Sequence, residues 1–190
     1  MKEQCRFTSL LKASRDELKK TRTLIFLALL MALTIAVSAF RIRTPFFSIT
    51  LGPIVKMYTA MLFGPVAGAA FGCAKDLLQF LIDNRGDPFF PGYTFTETLG
   101  MFVYGLFFYR KPLCLGRVLL AKLVVVVLCN ILLGTLWMSL LYGKAFLFYL
   151  PPRIGKNLIQ WPVDSLLFSV LAGVLGKAGL TRQIKAEESR

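Results

Sequence analysis

The chain has 190 residues, of which 56% are hydrophobic and only 17% charged, a balance that suits a bilayer-embedded protein rather than a soluble domain. At about 20 apolar residues per transmembrane helix it has room for roughly six spans, which excludes any large extramembrane domain. The net charge of +13 comes from 23 Lys and Arg against 10 Asp and Glu, and because these residues crowd around apolar stretches they point to membrane topology rather than nucleic-acid binding.

Residues 1–22 carry Lys2, Arg6, Lys12, Arg15, Lys19, Lys20 and Arg22, with Leu10, Leu11 and Leu18 near helical spacing. That pattern predicts a short amphipathic helix at the membrane surface. The apolar run 24–40 ends in Phe40-Arg41-Ile42-Arg43 rather than a small-residue cleavage site, so it is expected to be retained as the first span. Further apolar stretches cover 49–63, 65–82, 95–109, 113–142 and 158–178. Pro53, Gly64-Pro65, Pro88, Pro91, Pro112 and Pro151-Pro152 punctuate them, since proline removes a backbone donor and ends or bends a helix.

The predicted fold is therefore an all-α membrane protein of six transmembrane helices. Its parts are an interfacial segment 1–22, a transmembrane domain 23–178 and a tail 179–190. With the N-terminus in the cytoplasm, the inner segments hold the seven basic residues already named. They also hold Arg110, Lys111 and Arg117, then Lys177, Arg182, Lys185 and Arg190, so fourteen of the 23 Lys and Arg lie inside. The positive-inside rule then sets both termini in the cytoplasm and makes 41–48, 83–94 and 143–157 the outer loops.

Several chemistries are absent. Without histidine the chain has no Ser-His-Asp triad, imidazole acid/base group or histidine metal ligand. No phosphate-loop pattern occurs, so it is no ATPase by itself. Cys5, Cys73, Cys114 and Cys129 lie far apart and read as free thiols. No metal or cofactor is expected.

The informative residues are the polar ones inside apolar spans, because a charge at the bilayer centre costs about 3 kcal/mol or more. They are Lys56, Lys75, Asp76, Glu97, Lys122 and Asp164, joined by Gln79, Asn130, Asn157 and Gln160. Several fall near the outer ends of their spans, where they can converge on a pocket or pair to fix packing. The loop 83–94 combines Phe89, Phe90 and Tyr93 with rigid prolines and glycines, which offers flat faces for a planar ligand. At the mouth of the last span, Arg153, Lys156 and Asn157 share a helix face. With Arg41 and Arg43 they make the outer side basic enough to suggest an anionic ligand, lipid headgroups being the alternative. Ala28, Ala32 and Ala36 in the first span, and Gly64, Gly68 and Gly72 in the third, are small residues four apart that admit a close helix partner.

Six stretches carry a resemblance to a known family. They are Ser14-Arg-Asp-Glu-Leu-Lys-Lys-Thr-Arg22, Met61-Leu-Phe-Gly-Pro-Val-Ala-Gly68, Phe89-Phe-Pro-Gly-Tyr-Thr94, Gly105-Leu-Phe-Phe-Tyr-Arg-Lys111, Gly134-Thr-Leu-Trp-Met-Ser-Leu-Leu-Tyr-Gly-Lys144 and Pro152-Arg-Ile-Gly-Lys-Asn-Leu-Ile-Gln-Trp-Pro-Val-Asp164. In this order the chain resembles the substrate-binding S components of energy-coupling factor (ECF) vitamin transporters, specifically their folate-type branch.

The resemblance implies a six-helix protein of the prokaryotic plasma membrane that captures folate or a related pterin from outside. It would deliver the vitamin by toppling in the membrane, together with a transmembrane coupling protein and two cytoplasmic ATPases. Ala28 and Ala32, with Ala36 a turn on, match the small-residue motif that packs against the coupling protein. For folate, Phe89, Phe90, Tyr93 and Trp137 would stack. Some of Asp76, Gln79, Thr94, Glu97, Asn130 and Asn157 would supply hydrogen bonds to the pterin edge. Arg153 and Lys156, with Arg41 or Lys75, would pair with the glutamate carboxylates.

Other readings stay open. An S component for riboflavin, which is neutral, is the harder rival to exclude, whereas cationic thiamine is disfavoured by Arg153 and Lys156. A small intramembrane enzyme would need a close pair of acid/base groups that the spans do not offer. A channel or lipid scaffold would use the aromatic loops as anchors only.

Overall fold

The computed structural model describes residues 2–39, 42–43, 48–49, 52–82, 89–111, 113–143 and 146–177. Side chains are described from residue 10 onward, apart from those of 39, 42–43, 48–49, 149 and 175–177. Arg41, residues 83–88 of the loop 83–94 and the tail 179–190, all named above, therefore lie outside the described residues.

Helices dominate. α1 (Lys2–Glu17) is followed by α2 (Thr21–Ala39), then by a two-residue antiparallel ladder of β1 (Ile42–Arg43) and β2 (Ser48–Ile49). After it come α3 (Gly52–Ile82), α4 (Pro91–Phe108), α5 (Leu115–Val125), a π-helical segment Val126–Leu133, α6 (Gly134–Tyr142) and α7 (Phe146–Lys177). Among the described residues, four stretches are long and apolar enough to cross a membrane: Thr21–Ser38, Gly52–Ile82, Leu115–Tyr142 and Leu150–Val174.

α3 is a folded-back pair of limbs rather than one rod. Gly64 at φ 87°, ψ −174° interrupts it, a backbone region open essentially to glycine alone, and Pro65 then supplies no amide to continue the first limb. A methyl built on Gly68 would lie 3.6 Å from the Ala60 Cβ, although eight residues of continuous helix would separate them by about 12 Å. The sequence breaks its second and third apolar stretches at this same residue.

Such a turn exposes backbone groups that hydrocarbon cannot satisfy. Ser14 of α1 satisfies them: its hydroxyl donates to Phe63 O at 2.8 Å and accepts from the amides of Val66 at 3.0 Å and Ala67 at 3.2 Å. Ser14 thus acts as a cap supplied from another helix. α4 packs along the second limb with almost no side-chain spacer, since a methyl on Gly72 would meet Glu97 O at 2.9 Å and one on Gly105 would collide with the Pro65 backbone. Close backbone approach through glycine is how helices associate where water provides no hydrophobic drive.

The core between the α3 limbs, α4, α5 and α7 buries Met57, Phe63, Phe71, Met101, Phe108 and Phe168. By contrast α2 leaves Leu24, Ile25, Leu29 and Leu33 exposed, as a lipid-facing helix should. Several hydroxyls inside the helices bond the carbonyl one turn back, as Thr34 does to Leu30 O at 2.6 Å and Ser169 to Ser165 O at 2.8 Å, which satisfies them in the apolar interior, whereas the buried Thr135 hydroxyl has no such partner among the described residues.

Two helix starts differ from the sequence expectation. α4 begins at Pro91 rather than 95, because proline is suited to the first helical turn, where its missing amide is not needed. α7 begins at Phe146 rather than 158 and runs through Pro151, Pro152 and Pro162. Pro151 and Pro152 still lie close to its start, where the lost donors weaken few bonds.

Gly64→Ala should lower stability by about 2 kcal/mol through backbone strain, and Ser14→Ala by about 1 kcal/mol through the lost cap. Thermal melting in detergent would read both as lower midpoints. An unchanged midpoint for Gly64→Ala would contradict the folded-back turn.

Candidate functional site

A cavity of about 100 Å³ opens between the first limb of α3, α4 and the α5–π rod. On α4, Glu97, Gly100, Met101 and Tyr104 recur at i, i+3, i+4 and i+7, so one helix face supplies one wall. Lys122, Val125 and Cys129 do the same from α5 and the π segment, with Asn130 beside them, while Pro53 and Lys56 close the third side.

Two ion pairs border this space. Lys56 Nζ donates to both Glu97 oxygens, at 2.8 Å to Oε1 and 2.6 Å to Oε2, and ties α3 to α4. Lys122 Nζ donates to Asp164 Oδ2 at 2.8 Å and ties α5 to α7, with side chains only 6% and 2% exposed. The Lys56–Glu97 pair is more open, at 17% and 32%, and faces the cavity. The Lys122–Asp164 pair is the deeper of the two.

An aromatic cluster adjoins the cavity at Thr96. Phe90 lies 5.4 Å from the Trp137 ring and 5.8 Å from the Tyr93 ring. Trp137 Nε1 donates to Thr96 Oγ1 at 2.9 Å, and Thr96 donates in turn to Gly92 O at 2.9 Å. Gly92 has to be glycine here, because a side chain would run into Phe90 and Trp137.

Beside this cluster the Thr94 hydroxyl donates to Asp76 Oδ2 at 2.7 Å, linking the start of α4 to the end of α3. Phe89 is exposed and makes an edge contact with Phe80 at 5.1 Å.

The π segment explains how α7 joins the site. In it the Gly134 amide bonds Cys129 O and Ile131 O, which leaves Asn130 O for the Arg153 guanidinium at 2.9 Å. Asn130 Nδ2 also donates to Asn157 Oδ1 at 3.0 Å, and Asn157 Nδ2 to Arg153 O at 2.8 Å. π-turns of this kind are common at functional sites for this reason: they free a carbonyl.

Of the residues singled out from sequence, Glu97 and Asn130 line the cavity, and Asn157 and Arg153 join it through Asn130. Phe90, Tyr93 and Trp137 form the cluster above, with Thr94 and Asp76 beside it. Lys75 is buried behind the Lys56–Glu97 pair, Gln79 sits one turn beyond Asp76, and Lys156 is exposed on α7. Arg41 lies outside the described residues. Ala28, Ala32 and Ala36 are all exposed on α2.

Thr96, Gly100, Met101 and Tyr104 were missed, although the i, i+3, i+4, i+7 register from Glu97 would have found most of them. Lys56 and Lys122 stood out as intramembrane charges without being assigned to the site. Chemically, the arrangement offers two ammonium groups, a carboxylate acceptor and an amide beside flat aromatic faces, with a guanidinium bonded to the Asn130 carbonyl.

Comparison with known proteins agrees in kind. Residues 22–172 match the family described as ECF transporter, substrate-specific component. The chain is 34% identical over 151 residues to the folate transporter FolT of Clostridium novyi (strain NT), covering 79% of this chain and 87% of the relative. It is 30% identical over 150 residues to the folate transporter FolT of Leuconostoc mesenteroides subsp. mesenteroides, covering 76% and 80%.

Among solved structures, the crystal structure of FolT bound with folic acid superposes with a TM-score of 0.73 at 31% identity, over 80% of this chain and 93% of that one. The S component of a bacterial ECF transporter superposes with a TM-score of 0.62 at 22% identity, over 81% and 95%, and shares the fold.

Lys122→Met should destabilise the protein by about 3 kcal/mol, because it strands a buried carboxylate. Adding Asp164→Asn should restore much of that loss in a thermal melt. Single and double variants with equal midpoints would mean that the pair is not coupled.

Proposed function

The chain belongs to the substrate-specific components of ECF transporters, and on that premise we propose that it captures folic acid at the outer face of the cell membrane. It is a transporter subunit and a membrane protein. The observation that carries the folate reading is the Lys56–Glu97 pair on the wall of a cavity whose Thr96 hydroxyl holds the ring of Trp137, packed in turn on Phe90.

A pterin presents a carbonyl acceptor next to an N–H donor on one edge. An ammonium and a carboxylate side by side are the complement of that edge, and both bonds are charge-assisted. Asn130 can donate or accept at a further ring position. The aminobenzoate then lies against the aromatic cluster, and the glutamate carboxylates meet the Arg153 guanidinium, with Lys156, Arg41, Asp76, Gln79, Thr94 and Asn157 as further candidates around the rim. The relative of solved structure that is bound with folic acid supports the same ligand.

A cavity of about 100 Å³ falls well below the roughly 300–1,000 Å³ of small-molecule sites. Binding therefore parts the Phe90–Trp137 contact and admits the ligand head first. Hydrogen-bonded closure of Trp137 on Thr96 gives that cover a defined shut position.

The proposed topology has six crossings: α2, the two limbs of α3, α4, the α5–π–α6 rod and α7. The end that carries α1 and the Gly64 turn also holds Arg110, Lys111 and Arg117 and is cytoplasmic by the positive-inside rule, so both termini are inside. Ala28, Ala32 and Ala36, exposed on a lipid-facing helix, form the surface for the transmembrane coupling protein. Two cytoplasmic ATPases drive the toppling that releases the vitamin inward.

Equilibrium binding to the purified protein, followed by quenching of the fluorescence of its two tryptophans, Trp137 and Trp161, should rank folic acid above riboflavin and thiamine. Tighter binding of either competitor would overturn the folate reading. Glu97→Gln, which keeps the shape and loses the charge, should weaken folic acid binding about tenfold.

A further inference from the structure

A second lysine is buried near the Lys56–Glu97 pair. Lys56 already holds both Glu97 oxygens, at 2.6 and 2.8 Å. Lys75 sits on the opposite limb of α3, one turn beyond Gly72, where a methyl would touch the Glu97 carbonyl at 2.9 Å. It is only 7% exposed, lies within electrostatic reach of Lys56 and Glu97, and is not among the residues that line the cavity. Its neighbouring carboxylate, Asp76, is engaged by the Thr94 hydroxyl.

For packing alone this is an unfavourable choice. A second buried ammonium adds desolvation and like-charge repulsion against Lys56, and an apolar side chain of the same length would avoid both. The arrangement makes sense in a second state, in which Lys56 has left Glu97. A ligand that draws the Lys56 ammonium to its carbonyl leaves the Glu97 carboxylate without its main partner. A buried carboxylate without a cation either takes up a proton or swings away, and neither form presents two acceptors to the ligand.

We propose that Lys75 is a positioning residue for ligand binding, a reserve counter-ion that keeps the Glu97 carboxylate aimed into the cavity while Lys56 turns to the ligand. Lys75 touches no ligand atom in this scheme and acts only through Glu97. The exchange stays within the hairpin of α3 and its contact with α4, so it needs no rearrangement of the bundle. The inference rests on the folate reading for the identity of the ligand, and it concerns the pterin end alone.

The test titrates folic acid and pteroic acid, which lacks the glutamate tail, into the wild-type, Lys75→Met and Lys75→Arg proteins. Lys75→Met should weaken both ligands by the same factor, about tenfold. Lys75→Arg should recover affinity to within about threefold of wild type, because the cation is restored. Ligand-free melting of Lys75→Met should be unchanged or higher, which separates positioning from a merely structural role.

Should Lys75→Met fail to purify, Lys75→Gln removes the charge while keeping a polar head, and the same loss is expected. Wild-type affinity in the uncharged variant overturns the inference, and so does a loss confined to folic acid, since that would place Lys75 at the glutamate tail. Wild-type protein that binds neither ligand would instead remove the folate reading, and the inference with it.

Discussion

A charge in hydrocarbon has to find an opposite charge, and in this bundle that requirement shapes the site. Lys56–Glu97 joins α3 to α4 and Lys122–Asp164 joins α5 to α7, so each pair fastens one wall and both lysines face the same space. The cavity therefore lies between two neutral pairs rather than beside a lone charge. A flat neutral head rich in hydrogen-bonding edges can enter without leaving a net charge buried. A strongly ionic head would meet the full desolvation penalty of burial. The deeper pair is closed and structural, while the more open pair is the one with bonds to offer.

The same economy governs the backbone. Irregular backbone is tolerated at membrane depth only where protein groups satisfy it. At Gly64 the Ser14 hydroxyl serves both sides of the turn, and in the π segment the Arg153 guanidinium takes the carbonyl freed at Asn130. The first device locks α1 to the end of the bundle opposite the aromatic cluster. The second ties α7 to the cavity wall, so a movement of Arg153 toward a ligand carboxylate would be felt directly by Asn130.

Much of this was legible in the sequence because lipid imposes simple rules. Apolar length marked the helices, and Gly64-Pro65 marked the turn between the second and third stretches. The cost of intramembrane charge flagged Lys56, Glu97, Lys122 and Asp164 without saying which would pair. Pairing depends on the fold-back of α3, which brings residues of both limbs against Glu97 and has no signature beyond a glycine and a proline.

Helix starts were misread where proline was taken as a stop. Pro91 instead opens α4, and Pro151-Pro152 sit near the start of α7. The π segment could not be foreseen, since Val126–Leu133 is apolar apart from Asn130 and carries no residue type that marks a wider turn. Phe90 and Trp137 were assigned to stacking from chemistry alone, whereas the Thr96 hydroxyl that anchors Trp137 looked like an ordinary helix residue.

The most direct measurement is a structure of this protein with folic acid bound. The account predicts the pterin ring within hydrogen-bonding distance of Glu97 and Lys56, beneath Phe90 and Trp137, with the glutamate tail directed to Arg153. A ligand lying outside that cavity, with the Lys56–Glu97 pair untouched, would contradict it.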